Sequence, residues 1–340
     1  MRTMTRVPAT CLAAVAALAC LAAASAMAAD PWIVFEGQQG PGKGKHVVLV
    51  TGDEEYRSEE SMPQLAKILA VRHGFKCTVL FAVNKTDGTI DPVTRDNIPG
   101  LEALDTADLM VMFLRFRELP DAEMKHIIDY TNSGRPIVAL RTSTHPFNYT
   151  TNRKSPYAKY TFNNNTKEFK GGYGRQVLGE TWISHYGDHQ RESTRGLVAK
   201  GMEDHPIVRG AEDIWGPSDV YGLTTLHGDC KPVVMGQVLK GMKPDDPPNP
   251  DKKLVPVAWI KTFTGTSGKA ARIFTTTMGH AGDLKSEGFR RLLVNACYWG
   301  LGMEDQIPAR ANAEIVGSYD PVPIGFGKHK RGVKPSDHGL

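Results

Sequence analysis

Two histidines and an aspartate lie within five residues of one another in the segment WISHYGDHQ. His185, Asp188 and His189 carry imidazole and carboxylate groups, which are good ligands for zinc and similar divalent ions. The spacing His-x-x-Asp-His can place the three side chains around one centre, and His145 or His280 would complete the set. The segment therefore predicts a divalent, zinc-like metal site. Two alternatives stay open: such histidines are often surface residues, and one of them could instead contact a sugar or a carbonyl group.

A polar turn follows an apolar run in the segment IVALRTSTHPF. In α/β proteins, a turn after a buried strand is where hydrolases carry a nucleophile on a strained elbow. Thr142, Ser143 and Thr144 offer hydroxyl groups here, and His145 is close enough to serve Ser143 as the base that a serine nucleophile needs. We therefore expect either a Ser143–His145 pair or, with Arg141 included, a polar turn that binds substrate. The hydroxyl groups also fit a third role, which is to cap the turn.

Carboxylates crowd the segment GDEEYRSEE, directly after the first apolar run of the domain. A phosphate-binding turn would carry glycines and a lysine at this place. Carboxylates repel phosphate, whereas they accept hydrogen bonds from sugar hydroxyl groups or hold a cation. The acidic residues are Asp53, Glu54, Glu55, Glu59 and Glu60. The first three, together with Tyr56, are predicted substrate contacts.

Two further segments end apolar runs with groups that can exchange protons or bind anions. IFTTTMGH places His280 just before the last helix, and a histidine at a strand end can transfer protons near neutral pH. RFRELP places Arg115 and Arg117 after another strand. Arg115 is a candidate substrate contact, although pairing of both arginines with the acidic segment would explain them equally well. The candidate catalytic residues are therefore His145, His185 and His280.

Alternating strands and helices must hold these groups in place. Apolar runs predict strands at 46–50, 77–81, 109–113, 136–140, 196–200, 233–239, 255–262 and 271–277. Helical spacing predicts helices from about Met62, from Pro120 and over 286–302. Strand–helix alternation with short connections is typical of a doubly wound, mostly parallel α/β sheet, because parallel strands need crossovers. Such sheets bind ligands at the carboxyl ends of their strands, so the polar segments should meet at one edge.

The chain divides into a leader, one large domain and a tail. An Arg-containing start, an Ala- and Leu-rich run and a closing Ala-Met-Ala predict a signal peptide over 1–28, and hence export to the periplasm or beyond. Its apolar run is shorter than the roughly 20 residues that a membrane span needs. We expect a linker at 29–44, the domain at 45–302 and an extended tail at 303–340, with no membrane span after processing.

The stretch 146–195 is polar, rich in asparagine and without clear periodicity. Such a stretch inside a domain is typical of a functional loop rather than of a core. We therefore expect an insertion at the site. Its aromatic residues could form a platform for a carbohydrate, namely Tyr149, Tyr157, Tyr160, Phe162 and Tyr173.

Composition excludes some partners. The chain has 41 basic and 37 acidic residues, and no clustered basic face of the kind that binds nucleic acid. Beyond the leader it keeps three cysteines, Cys77, Cys230 and Cys297. An odd number of cysteines does not make a disulfide framework.

Five segments together resemble the ThuA-like (trehalose-utilisation) family: GDEEYRSEE, ADLMVMFLRFRELP, RPIVALRTSTHPF, DHPIVRGAEDIWGPSDVYGL and ARIFTTTMGHAGDLKSEGFRRLLVNACYW. The resemblance covers roughly residues 45–302. It implies a flavodoxin-like fold of the class I glutamine amidotransferase type, without that type's cysteine, since Thr142–Thr144 stand where the cysteine is expected. Asp219 and Tyr221 carry over as substrate contacts, whereas Ser218 replaces an acid that many relatives carry.

The resemblance further implies a role in disaccharide catabolism, on 3-keto sugars made by a partner sugar dehydrogenase. A base that removes the C–H beside the ketone and an acid that protonates the glycosidic oxygen would cleave such a sugar by elimination. A metal would polarise the ketone. We therefore expect an exported protein that cleaves a 3-keto disaccharide or glycoside. Two alternatives remain, a carbohydrate-binding module without catalysis and a hydrolase that uses Ser143 and His145.

Overall fold

A ten-stranded mixed sheet forms the centre of the protein, seen in a computed structural model that describes residues 30–223 and 225–340. Its strands are β1 (Trp32–Phe35), β2 (His46–Gly52), β3 (Lys76–Leu80), β4 (Leu109–Leu114), β5 (Ile137–Leu140), β7 (Ser193–Val198), β8 (Trp215–Gly216), β10 (Lys231–Leu239), β11 (Val255–Thr264) and β12 (Ala270–Thr276). They are arranged in the order β1-β3-β2-β4-β5-β12-β11-β10-β7-β8. A separate ribbon pairs β6 (Ser184–His185) with β9 (Tyr221–Gly222). The predicted signal peptide lies outside the described residues.

Five neighbouring strands, β3, β2, β4, β5 and β12, run parallel. Each of them coincides with an apolar run that predicts a strand. All six residues of β4 are buried, as a strand covered on both faces requires. The carboxyl ends of these strands share one edge of the sheet, where the polar segments were expected to meet.

The rest of the sheet is antiparallel, so the prediction of a mostly parallel sheet is wrong in that part. Five of the nine strand pairings are antiparallel: β1–β3, β12–β11, β11–β10, β10–β7 and β7–β8. Parallel neighbours need a crossover of a dozen or more residues, usually a helix. Only five residues join β11 to β12, and the longer loop between β10 and β11 contains no helix. The chain therefore has to return antiparallel.

Three helices flank the sheet: α1 (Ser58–His73), α2 (Asp121–Asn132) and α3 (Glu287–Gly300). Leu65 of α1 and Leu292 of α3 pack in one core with alternate residues of the strands. Ile127 of α2 packs in a second core with Tyr173 of the 146–195 insertion. Helices therefore cover both faces, and the insertion shares the face of α2.

Helix α1 begins four residues before its predicted start at Met62. Arg57, just before the helix, has the left-handed φ of 64° and turns the chain out of the acidic segment. As a result, Glu59 and Glu60 lie in the first helical turn, where the helix dipole favours carboxylates. These two acidic residues therefore belong to α1 and not to the loop that follows β2.

The predicted linker and tail both take part in the fold. Strand β1, inside the linker, pairs with β3 at the sheet edge. The C-terminal segment (residues 303–340) runs along α1: the Asn312 carbonyl lies 2.7 Å from Nε2 of His73. Further on, the amide of Gly325 donates to the carbonyl of Glu55 at 3.0 Å. The C-terminal segment therefore reaches the loop between β2 and α1, residues 53–57, which we call the acidic loop.

Within the described residues, no helix has the length and apolar character that crossing a bilayer would take. Cys77, Cys230 and Cys297 are free thiols. Burial raises the pKa of Cys77 and of Cys297, which makes both of them packed, neutral groups.

Candidate functional site

Strained backbone collects at the carboxyl edge of the parallel strands. Five described non-glycine residues have positive φ, and four of them lie at or beside this edge: Arg57, Phe116, Arg141 and Gln190. Left-handed backbone is costly for a residue with a Cβ atom, and it tends to occur at functional sites, where the surrounding structure holds it. This edge is therefore the candidate site.

Arg141 is the buried centre of the site. Its guanidinium donates to the Asp219 carboxylate at 2.8 Å, to the Asp219 carbonyl at 2.6 Å and to the Thr277 carbonyl at 2.7 Å. It also lies between the rings of Tyr56 and Tyr221, 4.4 and 3.9 Å from their centroids. Arg141 thus joins the end of β5 to the loop before β9. Because it is fully buried, it positions its neighbours and does not itself face solvent.

Asp219 accepts hydrogen bonds from two histidine rings. Its Oδ2 lies 2.6 Å from Nδ1 of His185, and its Oδ1 lies 2.8 Å from Nδ1 of His189. Nε2 of His189 lies 3.2 Å from Oε1 of Glu55. Nε2 of His185 makes no hydrogen bond within the described chain, and the His185 side chain is 34% exposed. Asp219 therefore holds both rings at Nδ1, and of the two rings His185 is the one whose second nitrogen has no hydrogen bond to the described residues.

These contacts fix the charges of the cluster. Burial alone would raise the pKa of Asp219, but Arg141 and the two imidazoles outweigh it and lower that pKa, so the carboxylate stays ionised. Hydrogen bonds to Asp219 and Glu55 raise the pKa of His189 to about 9. His189 is therefore a cation at neutral pH, bonded at both nitrogens.

The same cluster offers ligands for a metal ion, but not the predicted set. One ligand atom each from His185, His189 and Asp219 lies within 4.8 Å of the others. Asp188 is outside this set, because its side chain is exposed and pairs with a neighbouring arginine. A zinc-like ion suits the three donors and would polarise a carbonyl oxygen. It would have to displace a proton from His189 and compete with Arg141 for Asp219.

Most carboxylate contacts of the acidic loop stabilise the loop itself. The Asp53 carboxylate is buried and accepts hydrogen bonds from the amides of Glu55 and Tyr56 and, at 2.6 Å, from the hydroxyl of Thr142. Burial raises the pKa of Asp53, and the charge of Glu54 adds to this effect. Asp53 therefore stabilises the loop and does not itself face solvent.

Glu54 and Glu55 play different parts. Glu54 binds Arg115 and Arg117, with Oε1–Nη1 and Oε2–Nη2 distances of 2.5 and 2.8 Å. This is the pairing of arginines with the acidic segment that the sequence left open. Glu55 lies 3.5 Å from Arg115 and also reaches His189. Within the acidic loop, Glu55 is thus the carboxylate that contacts the imidazole cluster, the name that we give to His185, His189 and Asp219.

The hydroxyl groups after β5 hold the turn in place. Oγ of Ser143 donates to the Met112 carbonyl at 2.9 Å and accepts from the Leu114 amide at 3.1 Å, both on β4. The Thr144 hydroxyl lies 3.1 Å from Nδ1 of His145. No hydrogen bond joins Ser143 to His145 within the described chain. The geometry therefore matches turn capping, not a nucleophile and its base.

His145 stands among aromatic rings. Its ring centroid is 4.9 Å from Phe116, 5.4 Å from Trp182, 6.1 Å from Tyr221 and 6.3 Å from Phe162. We call these four residues the aromatic wall. Burial lowers the pKa of His145 well below its ordinary value, with nearby cationic groups adding to the effect. His145 is therefore a neutral ring that packs against the aromatic wall.

Trp182 and Phe116 were not among the predicted site residues. Trp182 opens the segment that carries His185, so its position was a usable signal, and its indole N–H is buried without a hydrogen-bond partner among the residues that the structure describes. The predicted aromatic platform is largely absent, because Tyr149, Tyr160 and Tyr173 are buried in the core beside α2. Of the five aromatic residues predicted to form the platform, Phe162 belongs to the aromatic wall.

His280 belongs to the same edge but not to the imidazole cluster. Its ring lies 6.4 Å from that of Tyr56, which in turn lies 6.0 Å from His189. Nδ1 of His280 accepts the amide of Gly282 at 3.0 Å and caps the turn Ala281–Lys285. Burial lowers the pKa of His280 to about 3, so the ring is neutral. The acidic loop and the four histidines lie at one edge of the sheet, with His280 set apart from the imidazole cluster.

No protein-family model matches the chain, and no curated protein matches it. Among solved structures, it is similar to a ThuA-like protein from Parabacteroides merdae, at 16% identity over 76% of this chain and 90% of that one, with a TM-score of 0.49. A ThuA-like protein from Bacteroides uniformis is 16% identical over 77% and 94% of the two chains, with a TM-score of 0.44. The mmIFT52 N-terminal domain is 12% identical over 76% and 97%, with a TM-score of 0.40.

Proposed function

We propose that the protein is an enzyme that removes a proton beside the carbonyl group of an oxidised glycoside and so cleaves the glycosidic bond. One observation carries the proposal: Asp219 binds Nδ1 of His185 at 2.6 Å, while Nε2 of His185 makes no hydrogen bond within the described chain and the side chain is 34% exposed. In the neutral imidazole, Nδ1 donates to the ionised carboxylate and Nε2 carries the lone pair. A carboxylate that holds an imidazole in one tautomer and leaves its other nitrogen free is the arrangement of a general base.

On a 3-keto glycoside the reaction begins at C2, whose C–H is acidic because it lies beside the C3 ketone. Nε2 of His185 takes the proton, and the electron pair forms the enolate. The pair then returns to form the C1–C2 double bond, and the bond from C1 to the glycosidic oxygen breaks. The leaving oxygen takes a proton from the His185 imidazolium, which restores the neutral base. The cleavage consumes neither oxidant nor water.

Fixed positive charge supports the enolate. His189 is held as a cation by two carboxylates, and Arg115 lies at the rim with its guanidinium 4.6 Å from the ring of Phe116 and 5.0 Å from that of Phe326. Cations that are already in place when negative charge develops lower the barrier without reorganisation. Three residues of the aromatic wall, Phe116, Phe162 and Trp182, are partly exposed and offer ring faces to the substrate, while buried Tyr221 packs behind them.

The carbohydrate assignment draws on the acidic loop and on the sequence resemblance. Glu55 at the imidazole cluster disfavours a phosphorylated ligand, and a sugar hydroxyl group can donate to it. A 3-keto sugar arises by oxidation of a secondary hydroxyl group, so a sugar dehydrogenase would supply it. We also propose export, on the basis of the N-terminal sequence.

The decisive variant is His185→Ala, assayed with 3-keto-trehalose. We expect wild type to release glucose and an unsaturated ketone, and kcat of the variant to fall roughly 10²- to 10⁴-fold. The matched control is His126→Ala, which removes a partly exposed histidine of α2 whose Nδ1 lies 2.9 Å from the Asp105 carboxylate. Equal turnover by wild type and His185→Ala would exclude His185 as the base. Assays with a chelator and with added zinc report whether the His185–His189–Asp219 set acts through a metal.

A second candidate function is carbohydrate binding without turnover. The aromatic wall favours it, since ring faces beside a neutral His145 bind a sugar without any proton transfer. In that case calorimetry would show 3-keto-trehalose binding equally to wild type and to His185→Ala. No product would form under any metal condition.

A further inference from the structure

A cavity of about 330 Å³ lies beside the imidazole cluster. Trp215, Pro217 and Met242 line it from the domain, and Val322 lines it from the C-terminal segment. Its lining is mostly apolar. Two lysines at its rim are engaged elsewhere: Lys285 pairs with Asp320 at 3.2 Å, and Lys328 donates to the Ile324 carbonyl at 3.2 Å. The cavity therefore suits an uncharged group with an apolar face.

One buried nitrogen atom at this cavity, Nε2 of His280, has no hydrogen-bond partner among the described residues. His280 lines it, is 3% exposed, and its Nε2 atom has no hydrogen-bond partner within the described chain. Because Nδ1 of His280 accepts the Gly282 amide, the neutral ring carries its proton on Nε2. The carbonyl of Val322 raises the pKa of the ring, an effect smaller than that of burial, but among the described residues no acceptor meets full hydrogen-bonding distance and angle at Nε2. Burying a donor without an acceptor is unfavourable, so Nε2–H is ready to bind a ligand oxygen.

Gln190 borders both the cavity and the imidazole cluster. Gln190 lines the cavity, and its side-chain amide lies 3.2 Å from Nε2 of His189. Its backbone has a φ of 62°, a strained conformation that the surrounding loop maintains. Tyr56 bridges the same two places, because its ring contacts both His189 and His280. A ligand that reacts at His185 can therefore extend past Gln190 into the cavity.

We propose that this cavity is the subsite for the group beyond the scissile bond, an uncharged pyranose ring or aryl group whose oxygen accepts from Nε2–H of His280. The proposal rests on the proposed function, since it assigns the second half of the same substrate. Apolar contact with Trp215 and Met242 supplies affinity, and the single donor supplies orientation. His280 is in this view a specificity residue for the leaving group and not the base.

The test compares two ligands on inactive protein. In the His185→Ala background, calorimetry measures Kd for 3-keto-trehalose, which has a second ring, and for methyl 3-ketoglucoside, which lacks one. Met242→Trp fills the cavity from a half-buried position, and Lys243→Trp, its exposed neighbour, is the matched control. We expect Met242→Trp to weaken disaccharide binding by about tenfold or more, the loss that removal of a hydrogen bond and an apolar contact gives. Methyl glycoside binding should stay within about twofold.

A second readout keeps the test independent of folding. The Nε2–H resonance of His280 should shift when the disaccharide binds and stay in place with the methyl glycoside. If Met242→Trp binds both ligands as the parent does, or weakens both equally, the cavity is not the subsite, while the proposed function stands. If the parent protein binds neither ligand, the proposed function fails and this subsite fails with it.

Discussion

Asp219 shows how one residue can set the chemistry of a site. It is buried, and its two carboxylate oxygens serve Arg141, His185 and His189 at once. Arg141 keeps it ionised, and the ionised form then fixes the tautomer of His185 and the charge of His189. Two similar rings on one carboxylate thus acquire different roles, because Glu55 occupies the second nitrogen of His189 only.

The charge of His189 gives a pH-dependent prediction. Its folded pKa of about 9 lies above its ordinary value of 6.5, so the stabilisation it gives is complete below pH 6.5 and is lost as pH rises through 9. Glu55→Gln should lower this pKa, though not to 6.5, because the larger effect comes from Asp219. NMR titration of the imidazole between pH 6 and 10 measures it. Glu192→Gln, on the same loop, should leave the pKa unchanged; an unchanged value in Glu55→Gln would contradict the assigned contact.

Ser143 tests the hydrolase alternative. Ser143→Ala removes a hydroxyl group that bonds to both the Met112 carbonyl and the Leu114 amide on β4. We expect the free energy of unfolding to fall by about 1–3 kcal/mol, the cost of leaving buried polar groups unpaired. Turnover per folded molecule should persist, and a serine-directed fluorophosphonate should not label wild type. Labelling at Ser143, or loss of turnover without loss of stability, would restore the nucleophile interpretation.

At the scale of elements, the turn Arg141–Thr144 is held from three sides. Strand β4 bonds to Ser143, the acidic loop bonds to Thr142, and the insertion packs on the carbonyl of Thr144. The contact from the insertion is made by Gly174, in a short π-helix (Gly174–Leu178). A helical irregularity of this kind occurs often at functional sites. The insertion therefore supports the site by backbone contact as well as through Phe162 and Trp182.

Gly174→Ala should disturb that support. A Cβ atom at this position would lie 1.9 Å from the Thr144 carbonyl oxygen, which is backbone and cannot swing aside. Overpacking of this kind costs about 1–3 kcal/mol, or roughly 1–5 °C in Tm for a protein of this size. Thermal unfolding measures the shift. Gly339→Ala, whose Cβ would meet only an ordinary contact at 3.5 Å, should leave Tm unchanged; equal Tm values for the two variants would show that the insertion does not press on the turn.

At the scale of the whole molecule, the predictable part is the part that local sequence encodes. The apolar runs at β2, β4 and β5 read as buried strands and placed their polar ends at one edge. Strand direction was missed for β7, β10 and β11, although the lack of helices between them signals antiparallel return. The metal set was missed by one member, because Asp188 is near in sequence whereas Asp219 is brought near by Arg141. Contacts of the C-terminal segment are long-range, and no local pattern encodes them.

The C-terminal segment gives the last prediction. Its Gly325 amide binds the Glu55 carbonyl at 3.0 Å, and Nη2 of Arg57 donates to the Gly325 carbonyl at 3.2 Å. A chain that ends at Asp320 keeps every strand and α1 to α3, so it should fold, but it frees both sides of the acidic loop and removes Val322 from the cavity.

We expect amide hydrogen exchange over residues 54–57 of this shortened chain to speed up at least about tenfold, since local opening costs less when such bonds are lost. The affinity for 3-keto-trehalose should fall with it, because Glu55 no longer holds His189 in place and the leaving-group cavity lacks a wall. A chain ending at His338 keeps Gly325 and Val322 and should match wild type in both measurements. Unchanged exchange in the chain ending at Asp320 would mean that the acidic loop is held by Asp53 and Arg115 without the C-terminal segment.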